Sequence, residues 1–195
     1  MPKNLELKAS LPDPHRTRRT LREISRYGGT LRQTDTYFHV PSGRLKLREE
    51  PGKTAALVYY KRIEGGGARW SNYEIIGVND AKKMRDALSR ALGVKVVVRK
   101  TRELYLFRRR ARIHLDHIPG LGRFIELEVI SDGDTRKTAE IHDELIKLLQ
   151  IDRRNSIAVS YSDLVLAQQN AARRRGSLRR AANADSSKKR MKRAR

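Results

Sequence analysis

Apolar and polar residues alternate in four short stretches of the chain: NLELKA (4–9), RLKLRE (44–49), RIHLDH (112–117) and FIELEVI (124–130). Side chains of an extended strand point to opposite faces in turn, so each stretch predicts a strand with one apolar and one polar face. Further runs rich in Leu, Val, Ile and Tyr are split by turn signals such as Pro41-Ser42-Gly43, Pro51-Gly52 and Gly65-Gly66-Gly67. About eight strands are expected in all: 4–9, 34–40, 44–49, 55–62, 70–78, 94–102, 103–116 with a break, and 122–131. Their short connections predict antiparallel pairing.

Three segments follow helical spacing instead. Asp13 reads as an N-cap and Pro14 as a first-turn residue of a helix running to a stop at Gly28-Gly29. Met84, Ala87, Leu88 and Ala91 form the apolar stripe of a second helix, from Asn79 or Asp80 to before Gly93. A third runs from about Asp134 to Gln150, with Ile141, Leu145, Leu148 and Leu149 on one side. All three read as packing elements.

The polar faces of the strands are unusual. They carry Asn4, Glu6 and Lys8; Arg44, Lys46 and Arg48; Arg112, His114 and Asp116; and Glu126 and Glu128. An open antiparallel sheet with this face in water satisfies the pattern. A closed barrel with the charged face turned inward and the leucines outward under the helices also satisfies it, and eight strands suffice to close one. Long charged side chains concentrated on one face, basic strands alternating with acidic ones, favour the barrel. The expected fold is therefore α+β, an eight-stranded antiparallel closed β-barrel with helices packed outside. Its lumen would suit a triphosphate: Lys and Arg offset the phosphate charge, and Glu126 and Glu128, with Glu6 from another strand, form an oxygen cage for Mg2+ or Mn2+.

Charge and composition add an organisation. The 195 residues suit one domain plus an extension, and the net charge is +22. Residues 171–195 hold 11 of the 44 Lys and Arg but one of the 22 acids. Such a segment has little apolar surface to bury, so a domain over 1–168 and a disordered basic tail over 169–195 are expected, the tail open to nonspecific polyanion contact. The chain has no cysteine, which excludes disulfides and thiolate metal sites. The five histidines lack paired-ligand spacing, so any metal is expected to be held by oxygen. No apolar run approaches a bilayer span and the N-terminus has no signal-peptide core, so the expected location is cytoplasmic.

These residues resemble the CYTH family, the triphosphate tunnel metalloenzymes, which include class IV adenylyl cyclases and thiamine or inorganic triphosphatases. The family's Glu-x-Glu-x-Lys signature is met at Glu6 and Lys8, with Asn4 in the place of the first glutamate. The resemblance continues through QTDTYF, RLKLR, YYKR, Tyr73-Glu74, RKTRELY, LDHIPGLGRFIELE and SYSDL, roughly residues 4–165. It implies the triphosphate tunnel fold and a phosphate grip by Lys8, Lys46, Arg48, Lys61, Lys100, Arg102 and Arg112. It also implies metal binding by Glu6, Glu126, Glu128 and Glu74, with Asp116, Lys8 and Arg102 as the catalytic set. His114 receives no role. The implied ligand is ATP, thiamine triphosphate or tripolyphosphate, and the expected function is that of a class IV adenylyl cyclase, with a triphosphatase or a non-catalytic polyphosphate-binding module as alternatives. Family members often pair, so a homodimer is a further expectation.

Overall fold

The computed structural model describes residues 2–62 and 68–193, with side chains described for 2–61 and 68–177. The expected turn at Gly65-Gly66-Gly67 lies outside the described residues. The strands are β1 (Lys3–Ser10), β2 (Arg26–Phe38), β3 (Arg44–Glu49), β4 (Ala55–Arg62), β5 (Arg69–Val78), β6 (Val94–Phe107), β7 (Ala111–Ile118) and β8 (Gly122–Ile130). The helices are α1 (Pro14–Ile24), α2 (Ala81–Leu92), α3 (Thr135–Leu148) and α4 (Tyr161–Arg193). The strands close into an antiparallel barrel in the order β1-β5-β4-β3-β2-β6-β7-β8, with β8 returning to β1.

The barrel is turned as the alternation predicts. Leu7 and Ala9 of β1, Ile113 and Leu115 of β7, and Ile125, Leu127 and Val129 of β8 point outward and pack with Leu21 of α1 and Ile141, Leu145 and Ile146 of α3. On the other side Phe38, Leu47, Ala55 and Val78 meet Ala81, Met84, Leu88 and Leu92 of α2. The two apolar layers therefore lie outside the sheet, between strands and helices, and burial of this area drives closure. Asp13, Asp80 and Asp134 cap α1, α2 and α3, each accepting a backbone N–H in the first turn.

Three element boundaries depart from expectation. α1 ends at Ile24, not at the glycines, because Arg26 and Tyr27 pair with Leu106 and Tyr105 of β6, and the Tyr27 and Tyr105 rings meet at a tilt with centroids 5.3 Å apart. The break in the long β6–β7 stretch falls at Arg108 and Arg109, both in the left-handed region (φ 46° and 56°) that tight hairpins require. The third is α4, whose backbone runs from Tyr161 to Arg193 and so crosses the boundary expected at residues 168–169. Ala, Arg, Lys and Leu are strong helix formers and no proline interrupts them, so helical backbone needs no apolar face there. Among the described residues no helix is long and apolar enough to cross a membrane.

Candidate active site

α4 begins inside the barrel. Ser160 and Asp163 cap it reciprocally: Ser160 Oγ accepts from the Asp163 N–H, and the Asp163 carboxylate accepts from both Ser160 N–H and Oγ. The Asp163 carboxylate also pairs with Arg44 and Lys95, which pins the start of the helix. Tyr161, Leu164 and Val165 are thereby held against lumen-facing Val58, Val96, Val98, Ile118 and Phe124, and fill that part of the barrel with apolar contacts. The remaining lumen is a cavity with three chemically distinct walls.

The first wall, on β2, β3 and β6, is cationic. Lys46 Nζ and Lys100 Nζ donate to Asp35 Oδ2 at 3.0 and 3.2 Å, and Arg48 donates to both carboxylate oxygens at 2.8 and 3.0 Å. Asp35 is 1% exposed. Burial alone would raise its carboxyl pKa, but Lys100, Lys46 and Arg48 hold it well below the usual carboxylate range. Burial, reinforced by Arg48, brings Lys46 down to about 7 although Asp35 opposes the change. Burial lowers Lys100 in the same direction.

The second wall, on β1, β7 and β8, is acidic. Register places Glu6 opposite Glu128 and Lys8 opposite Glu126 across β1 and β8, and His114 opposite Glu126 across β7 and β8. Arg102 from β6 closes this wall. Its Nε and Nη2 donate to Asp116 at 2.7 and 2.6 Å, and Nη2 also donates to Glu126 Oε2 at 2.6 Å. Burial would raise the Glu126 carboxyl, but the facing His114, Arg102 and Lys8 hold it well below the usual range. Lys8 Nζ donates to the Val159 carbonyl at 3.0 Å and lies 4.0 Å from the centre of the Tyr161 ring.

The third wall, on β4 and β5, is aromatic and apolar: Val58, Tyr60, Tyr73 and Ile75. Val58 sits opposite Ile75 and Tyr60 opposite Tyr73 in register, so the four form one patch.

The cavity brings together Glu6, Lys8, Lys46, Arg48, Lys100, Arg102, Arg112, Glu126 and Glu128 of the sequence-predicted set. It does not include three others. Lys61 and Glu74 are exposed on the outer face, because Tyr60 and Tyr73 take the inward parity of β4 and β5. Asp116 is 1% exposed and stands behind Arg102 with both oxygens engaged, which holds its carboxyl low. In this geometry it accepts two bonds from Arg102 and does not line the cavity. Asp35, Tyr161 and the aromatic wall were not anticipated from the sequence.

Asn4 lines the cavity next to the acidic wall, and its buried Oδ1 has no hydrogen-bond partner among the described residues. His114, remote in sequence spacing from any other ligand, is brought by strand register within 4.8 Å of Glu126 and Glu128, ligand atom to ligand atom.

The sequence matches the CYTH domain over residues 2–161, most of its length. The chain belongs to the CYTH domain family. No curated protein matches the sequence. Among solved structures, a Pyrococcus horikoshii protein shares this CYTH fold with a TM-score of 0.75 and 19% identity, covering 83% of this chain and 98% of its own. A candidate adenylate cyclase of Vibrio parahaemolyticus has a TM-score of 0.67 and 17% identity, over 83% of this chain and 97% of its own. A candidate adenylyl cyclase of Hippeastrum with a dominant triphosphatase activity has a TM-score of 0.59 and 13% identity, over 87% of this chain and 96% of its own.

Proposed function

We propose that the barrel binds the triphosphate of ATP together with a divalent cation, Mg2+ or Mn2+, and converts ATP to cyclic AMP and pyrophosphate. The observation that carries this reading is the meeting of three walls in one cavity: cationic for phosphates, acidic for a metal, and aromatic for a base. Lys46, Arg48, Lys100, Arg102, Lys8 and Arg112 would neutralise the phosphate chain, and their fixed positions supply most of what phosphoryl chemistry asks of a protein. The donor set fits a hard divalent ion, because Glu6, Glu126 and Glu128 lie on adjacent strands facing one lumen and Glu126 is held ionised. Such an ion supplies further neutralisation of the phosphate oxygens. Val58, Tyr60, Tyr73 and Ile75 would take the adenine face, which sets the ribose between base and phosphates. The ribose 3'-hydroxyl then forms the new bond to the α-phosphorus as the bond to the β-phosphate oxygen breaks. Pyrophosphate leaves, and the hydroxyl proton passes to solvent at the mouth. Tyr161 and its apolar surroundings exclude water from the other end of the lumen.

A second reading, hydrolysis of the triphosphate, has its own support: Ile75 on the aromatic wall is 58% exposed, so water reaches the same cavity. The Hippeastrum protein is described by such an activity. One experiment separates them. Purified protein with Mg2+ or Mn2+ is given ATP, tripolyphosphate and thiamine triphosphate, and the products are resolved by chromatography. Cyclic AMP from ATP is the expected product; orthophosphate alone supports hydrolysis, and tight binding with neither product overturns turnover in favour of a binding module.

A further inference from the structure

His114 is 4% exposed, and its Nδ1 stands 3.8 Å from Glu126 Oε2 and 3.7 Å from Glu128 Oε1. Both distances lie within ion-pair range but are too long for a hydrogen bond, and Nδ1 has no hydrogen-bond partner among the described residues. Folded chains seldom keep a buried ring nitrogen in that condition without a reason. Two ligand atoms that share one ion at bond lengths of about 2.0–2.2 Å stand at most about 4.4 Å apart, and both distances fall inside that limit. Nδ1 is therefore aimed at the space where the two carboxylates converge. Glu126 also bonds Arg102, so it brings less of its charge to that space than Glu128 does.

We infer that His114 ligates the divalent cation of the lumen alongside Glu126 and Glu128, and so biases the site toward transition ions such as Mn2+ and Co2+ over Mg2+. This rests on the metal-dependent reading above and assigns it a nitrogen ligand. A set of carboxylates alone suits Mg2+, whereas imidazole adds affinity for first-row transition ions and little for Mg2+. The spacing of histidines in the sequence could not reveal it, because the ligands meet across a strand pair and not along a helix or loop.

The test is Mn2+ bound to the full chain, read by electron spin-echo spectroscopy, with Co2+ and Mg2+ affinities measured by calorimetry for the wild type and for His114→Gln. The expected result is nitrogen-14 modulation from one imidazole in the wild type and none in the variant. Co2+ binding should weaken by about tenfold or more in the variant, with Mg2+ binding within about twofold. Circular dichroism checks that the variant folds, and the wild-type spectrum decides the point even if it does not. Mn2+ bound without nitrogen modulation overturns the inference and leaves the metal-dependent reading standing; no binding of any of the three ions overturns both.

Discussion

Two ion clusters of opposite build face each other across the lumen. Around Asp35 a single carboxylate is shared by Lys46, Arg48 and Lys100, so cations exceed acids. Around Glu126 the balance reverses: Glu6, Glu126 and Glu128 stand on adjacent strands with Asp116 behind them, and Arg102 is shared between Asp116 and Glu126 while Lys8 and Arg112 face Glu126 and Glu128. Neither cluster is neutral by itself. Each contains internal counterions, Asp35 in the first and Arg102, Lys8 and Arg112 in the second, that let like charges be buried side by side, which is costly when a partner is missing. On the proposed reading, a ligand that carries both a polyanion and a divalent cation would satisfy the two surpluses together.

The comparison is broken most severely by removing the counterion of the cationic cluster. Asp35→Asn leaves two buried lysines and a half-buried arginine without their shared carboxylate, and urea denaturation should show a loss of about 3–5 kcal/mol. Tripolyphosphate should restore part of it, because an anion that binds the folded state stabilises that state. A loss below about 1 kcal/mol would mean that Asp35 does not organise the wall.

The acidic cluster should respond in the other currency. Glu128→Gln removes one of several neighbouring carboxylates from a partly exposed position, so stability should change by less than about 1 kcal/mol. Metal-dependent turnover should nevertheless fall by about 10²-fold or more. Unchanged turnover in a steady-state assay would remove Glu128 from the metal site.

A smaller effect follows from Lys46, whose pKa near 7 makes the charge of the cationic wall depend on pH. Bound phosphate favours the charged ammonium and raises that pKa, so binding at pH 8 takes up a proton. Affinity for tripolyphosphate should fall as pH rises above 7, by at most about tenfold per unit from this group. Calorimetry in two buffers of different ionisation heat measures the uptake, and Lys46→Met should reduce it. For the free protein the sign is reversed: between about 7 and the ordinary value of 10.5 the unfolded chain binds the proton and the folded chain does not. Burial of Lys46 therefore destabilises the fold at neutral pH, and that cost shrinks as pH rises through the window.

The sequence was legible where side chains alternate without interruption. In β1, β3, β7 and β8 every second residue is apolar, and the inward set Glu6, Lys8, Lys46, Arg48, Arg112, Glu126 and Glu128 follows from parity. β2 hides Asp35, because Gln33 and the residues from Asp35 to Phe38 are buried on both faces and no alternation remains to mark one of them as internal. α4 was obscured differently. Its basic run looks like solvated chain, while the informative signal was the short cap SYSD, which sets Tyr161 in the lumen. Register across strands, which brings His114 to Glu126, has no signature along the chain at all.

Lys61 and Glu74 mark the limit of carrying roles from a resemblance onto strands whose parity is ambiguous. In YYKR and NYEII, aromatic or apolar residues occupy both faces, and the structure turns Tyr60 and Tyr73 inward with Lys61 and Glu74 outside. Lys61→Ala and Glu74→Ala should each leave stability within about 0.5 kcal/mol. Turnover and Mn2+ binding should stay within about twofold of the wild type, in contrast to Glu128→Gln. A tenfold loss of metal binding in Glu74→Ala would require β5 to present its other face to the lumen. That shift of one residue would also expel Tyr73 and Ser71 from the cavity, so the same variant tests the register on which the aromatic wall depends.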